Sequence, residues 1–123
     1  MILVDTSVWV DHLRVGDNML AELLETGRVL AHPFVIGELA LGHLRQRDFI
    51  LTALQDLPRA SVATDQEVLH FIHRHTLFGS GIGYVDAHLV AAARLTAAAT
   101  LWTRDQRLLG VAERLGLAAT RLR

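Results

Sequence analysis

Two kinds of apolar pattern alternate along this chain. Ile2-Leu3-Val4, Val29-Leu30-Ala31 and Thr100-Leu101-Trp102 are short runs without polar interruption, as expected of strands buried on both faces of a parallel sheet. Between them, apolar residues recur at helical spacing. Helices are expected over 8–13, over 18–26 with Asp17 as cap and Gly27 as stop, from the His32-Pro33 pair to about 45, and over 49–57 before Pro58. Thr64-Asp-Gln-Glu67 has the form of a capping box, followed by a helix to about 75. Long Ala-rich and shorter amphipathic patterns predict helices over 84–98 and 106–115, the latter stopped by Gly116. Weaker strands are expected at 61–63 and 118–122, and Gln46-Arg47-Asp48 reads as a joint. Strands alternating with helices predict an α/β fold with a mainly parallel central sheet.

Length and composition narrow the field. At 123 residues, with 51% hydrophobic residues, the chain suits a single domain, 1–123, with one core, and disorder is excluded. No apolar run approaches the ~20 residues needed to cross a bilayer. The start lacks a basic segment and meets Asp5 at once, unlike a signal peptide. A cytoplasmic enzyme or binding domain is therefore expected. Without cysteine there is no disulfide framework and no thiolate zinc site. The net charge of −1 argues against a strongly basic nucleic-acid binder. All basic residues are Arg; this suits phosphate contacts, although a compositional bias of the source genome is the plainer explanation. The lack of Lys closes Schiff-base and phosphate-loop chemistry, and also a receiver-like signalling site, which needs a Lys beside its acids.

Four acids stand where packing alone would not choose them. Asp5 ends the first apolar run, at the carboxyl edge where open α/β sheets build their sites, though a turn or cap role would also place it there. Glu38, inside Phe34-Val-Ile-Gly-Glu-Leu-Ala-Leu-Gly42, has apolar neighbours three and four residues away and is expected on an apolar face, with a solvated edge as the alternative. Asp86 repeats this pattern between Ile82 and Val90, where a helix-dipole role competes. Asp105 follows the strand ending at Trp102 and also suits a helix N-cap. Strand ends and helix starts gather at one edge of a parallel sheet. Carboxylates crowded there repel one another unless a cation intervenes, and an all-oxygen donor set points to Mg²⁺ or Mn²⁺. Metal-assisted cleavage of a nucleic-acid backbone is the reaction class that follows.

Val4-Asp-Thr-Ser-Val-Trp9, Gly37-Glu-Leu39, Tyr84-Val-Asp-Ala-His-Leu89 and Trp102-Thr-Arg-Asp105 together resemble the PIN-domain family, and within it the VapC-type ribonuclease toxins of toxin–antitoxin pairs. The resemblance implies a three-layer α/β/α sandwich and endoribonuclease activity with Mg²⁺ or Mn²⁺. It also implies a homodimer, an RNA substrate, and a small antitoxin whose tail covers the acidic cleft. It makes Asp5 and Asp86 the most direct metal ligands, Glu38 the acid that binds or polarises the metal water, and Asp105 the more variable fourth acid. Thr6, Ser7 and Thr103 are expected to orient these carboxylates, although Ser7 also suits a helix cap. Arg104 is either a phosphate contact or an ordinary surface charge. A PIN-fold RNA-processing nuclease that is not a toxin, or a non-catalytic RNA- or protein-binding module, are the alternatives.

The remaining features carry less. His70, His73 and His75 do not share one helix face, so a solvated helix end is expected rather than zinc. His32 and His88 fall near the proposed cleft, where capping or packing competes with RNA contact. Gly79-Ser-Gly-Ile-Gly83 has its third glycine one residue early for a dinucleotide fingerprint and reads as a hinge. Trp9 and Trp102 are core residues by position, and either could stack a base if exposed.

Overall fold

The computed structural model describes residues 1–119 and Leu122. Strand β1 (Ile2–Val4) leads into helices α1 (Thr6–Val15) and α2 (Asn18–Glu25), then β2 (Val29–Leu30), α3 (Pro33–Ala40) and α4 (Arg47–Gln55). Helices α5 (Asp65–Arg74) and α6 (Tyr84–Leu95), strand β3 (Thr100–Trp102) and α7 (Gln106–Arg114) complete the order. The sheet runs β2-β1-β3 with every pairing parallel, Leu3 lying opposite both Leu30 and Leu101. Isolated parallel bridges, Ala31 to Arg59 and Leu101 to Ala118, widen it at both edges.

The central strand explains the layering. Successive side chains of a strand point to opposite faces, yet Ile2, Leu3 and Val4 are all buried. Both faces must therefore be covered, as the uninterrupted apolar run requires. α6 packs on β3 and on α5, while α1 packs on α3 and α3 on α4. Leu3, Leu20, Leu89, Leu101 and Leu108 are fully buried at the centre of the core.

Several boundaries differ from the sequence reading. α3 stops at Ala40, well short of 45, because the chain turns at Leu41 and Gly42, and Gln46 takes a left-handed conformation (φ 53°) just before α4. α6 stops at Leu95, three residues short of 98: the Thr96 hydroxyl donates back to the Ala92 carbonyl at 2.7 Å and the Thr96 backbone turns extended. The expected edge strand at 61–63 is absent. Pairing occurs earlier, through Ala31 N–H to the Pro58 carbonyl and Ala60 N–H to the Ala31 carbonyl, and the Ser61 N–H is taken by the Thr96 hydroxyl. Of the expected strand over 118–122, the bridge at Ala118 is present, while Thr120 and Arg121 lie outside the described residues.

Candidate active site

Asp5 stands one residue past β1 and caps α1 itself, so the helix starts at Thr6 rather than at Val8. Its backbone N–H donates to the Trp102 carbonyl at 2.9 Å, which continues the β1–β3 register and brings Thr103 alongside. Asp5 is buried, and its Oδ2 receives three donors: the Ser7 hydroxyl at 2.7 Å, the Thr103 hydroxyl at 2.8 Å and the Ser7 N–H at 3.4 Å. Oδ1 accepts none of them. Such a carboxylate is held in one orientation with one oxygen uncommitted.

Asp105 lies two residues beyond Thr103 and caps α7, its Oδ1 accepting from the N–H groups of Arg107 and Leu108 at 2.9 and 3.1 Å. Its own N–H donates to the Thr103 hydroxyl at 3.1 Å. Thr103 thus ties the two strand-end acids together. The capping role weighed for Asp105 from sequence is real, and it leaves the residue exposed at the same edge as Asp5.

Glu38 departs from expectation. It is exposed, not set in an apolar face, because α3 buries Val35, Ile36 and Leu39 and so turns Glu38 out of that stripe. Counting neighbours three and four residues away could not distinguish the buried side of so apolar a helix. Its Oε1 accepts from the Thr6 hydroxyl at 2.7 Å. The adjacent hydroxyls of Thr6 and Ser7 therefore serve different acids.

Asp86, half-buried in the first turn of α6, reports on all the others. Burial pushes its carboxyl up to about 6, and the negative charge of Asp5 is the next cause. A hydrogen bond from the Gly83 backbone opposes the rise, and Asp105 and Glu38 add to it. Four acids drawn from β1, α3, α6 and the end of β3 therefore share one electrostatic neighbourhood. Among the described residues, however, no three His, Asp or Glu side chains are spaced closely enough to form a closed metal cage. Mutual repulsion of unneutralised carboxylates favours that open spacing. The donor set is all oxygen and matches a hard divalent cation in kind; closing around one requires the acids to draw in.

Arg104 is strongly engaged. Its guanidinium reaches Asp11 at 2.6 Å and Asp17 at 2.5 Å, it lies 5.7 Å from the Trp102 ring centre, and its N–H donates to the Ser7 hydroxyl. Any phosphate would have to compete with two carboxylates for it. Asp17 is the cap of α2 expected from sequence, but its pairing with Arg104, and that of Asp11, was missed because the partner lies far along the chain. Trp9 and Trp102 are buried and unavailable for stacking. His32 is fully buried and caps α3, its Nδ1 accepting from the Phe34 N–H at 3.1 Å. His88 is also buried; its Nε2 stands 3.2 Å from Asp65 Oδ1, but not in hydrogen-bonding alignment.

Comparison with known proteins identifies the family. The family model described as PIN domain matches residues 2–114. Ribonuclease VapC32 of Mycobacterium tuberculosis, from strain CDC 1551 / Oshkosh and from strain ATCC 25618 / H37Rv, is 48% identical over 118 residues, covering 96% of this chain and 95% of the relative. No solved structure matches. With the family model spanning nearly the whole chain and the acids gathered at the sheet's carboxyl edge, the chain belongs to the PIN-domain family and, within it, to the VapC type.

Proposed function

We propose that this chain is a metal-dependent endoribonuclease, the toxin of a VapBC-type pair, acting on RNA in the cytoplasm. The observation that carries the reading is the Asp86 carboxyl, raised by burial and then by Asp5, Asp105 and Glu38 together. Chain segments so far apart have little structural reason to pool negative charge, whereas binding a cation gives one. The 48% identity to a protein named as a ribonuclease supports RNA as the substrate.

In this reading Asp5 and Asp86 would hold the cation directly, Glu38 would bind or polarise a water beside it, and Asp105 would complete the acidic rim. When bound, Mg²⁺ or Mn²⁺ supplies a polarised water and neutralises charge on the phosphodiester. The protein's own part is preorganisation. Ser7 and Thr103 lock Asp5, Thr6 steadies Glu38, and Thr103 couples Asp5 to Asp105. Asp86 would have to shed its proton to serve as a ligand, because burial and its acidic neighbours favour the protonated form.

A groove of about 490 Å³, walled by Val10, Leu13 and Ile50 together with Arg14, His43 and Arg45, reaches Glu38. That continuity supports an antitoxin segment seated there, with its tail over the acids. A homodimer is part of the same reading, and sedimentation of the purified chain tests it. The deciding experiment incubates the purified chain with structured RNA in Mg²⁺ or Mn²⁺. Cleavage is expected, lost in EDTA and lost in Asp86→Asn while the fold persists; unchanged cleavage by Asp86→Asn would sink the assignment.

A further inference from the structure

A cleft of four carboxylates repels the backbone of its own substrate, and the nearby Arg104 already pairs with Asp11 and Asp17. Affinity for RNA therefore calls for contacts that do not depend on charge. Two exposed aromatic rings, on the helices that also carry Glu38 and Asp86, offer them. Phe34 lies one helical turn before Glu38 on α3, and Tyr84 lies two residues before Asp86 at the start of α6. Both rings reach solvent, Phe34 at 36% and Tyr84 at 47% exposure, whereas His88 between them is 2% exposed. Each meets His88 edge-on at a centroid distance of 4.7 Å. His32 supports Phe34 from behind at 5.2 Å, and the Tyr84 hydroxyl donates to Asp65 Oδ1 at 3.0 Å. The rings are exposed and yet fixed by their neighbours, so little side-chain freedom is lost when another ring settles on them.

We propose that Phe34 and Tyr84 form a platform on which an unpaired base of the RNA stacks beside the cleaved bond, with His88 as its buried support. The inference rests on the ribonuclease reading, since it is that chemistry which brings RNA to the acids. Stacking needs a free base face, so the platform selects single-stranded RNA over duplex.

The test measures binding of a short fluorescent single-stranded RNA of random sequence, and of the same RNA annealed to its complement, to the full chain in EDTA. The wild-type chain is expected to prefer the single strand. Phe34→Leu and Tyr84→Leu should each weaken single-strand binding roughly tenfold, the scale of one lost stacking contact, with duplex binding unchanged. Phe34→Trp and Tyr84→Phe should keep the preference, Tyr84→Phe doing so without the Asp65 bond. No preference in the wild type, Leu variants that bind as tightly as it does, or Phe and Trp replacements that fail to rescue would each overturn the platform. Cleavage by the wild-type chain in Mg²⁺ or Mn²⁺, read in parallel, reports on the ribonuclease reading separately.

Discussion

The Thr103 hydroxyl donates to the Asp5 carboxylate at 2.8 Å across 98 positions of sequence, in a buried setting. Neither residue can take this position unless β1 and β3 are paired in register, so the contact joins sheet assembly to the geometry of the acidic cleft. If Asp5 holds a cation, Thr103 and Ser7 set the direction from which it does so. Thr103→Val keeps the branched shape and removes the donor. Titration calorimetry with Mn²⁺ should show affinity falling by about 10- to 100-fold for Thr103→Val or Ser7→Ala, with little change in helix content.

Asp86 predicts a pH signature. Its carboxyl titrates at about 6 in the folded chain against 3.8 ordinarily. Between those values the folded state keeps a proton that the unfolded state has released, so stability falls as pH rises through the window and stays lowered above it. Asp86→Asn should raise metal-free stability above pH ~6 by about 1 kcal/mol after allowance for solvent screening, and should have little effect below ~4. Thermal melts in EDTA across this range check the sign. Mn²⁺ affinity of the wild type should weaken as pH drops below ~6, since protons compete for the same oxygen.

His32 works in the opposite direction. Burial first, then the neighbouring His88, lowers its imidazole to about 4 from 6.5. The unfolded chain takes up a proton on His32 as pH falls below 6.5 while the folded chain refuses it until about 4, so stability is lost over that interval. His32→Asn retains a good helix cap and removes the titration. Denaturant unfolding at pH 7 and pH 4.5 should show roughly 2 kcal/mol less acid destabilisation in this variant than in the wild type.

Arg104 separates a structural clamp from an RNA contact. Arg104→Met removes the links to Asp11 and Asp17 while keeping much of the packing over Trp102. A melt should show a loss of about 1 kcal/mol, typical of partly exposed pairs. The salt dependence of RNA binding should stay the same; a slope smaller by about one unit would mark a phosphate contact instead.

Much of this architecture could be read from the letters. The apolar runs at Ile2–Val4 and Thr100–Trp102 are strands, and the capping box at Thr64 and Glu67 is formed in full. Those features are local, and local patterns survive folding. Helix ends at Ala40 and Leu95 were less legible, because good helix formers resume just beyond each break, Leu44 and Arg45 after one and Ala97 and Ala98 after the other, and the break comes from a backbone turn or a hydroxyl reaching back. The exposure of Glu38 was hidden for a related reason: nearly every side of α3 is apolar, so periodicity could not say which side meets the core. The grip of Asp11 and Asp17 on Arg104 depends on how α1 and α2 meet the end of β3, which no short window contains.

The order of the strands also times the chain's production. β1, at the middle of the sheet, is made first, whereas its neighbour β3 and the acid beyond it come late. On the ribosome, Asp5 has only Ser7 to hold it until Thr103 and Asp105 have emerged. A prematurely truncated product therefore lacks an assembled cleft.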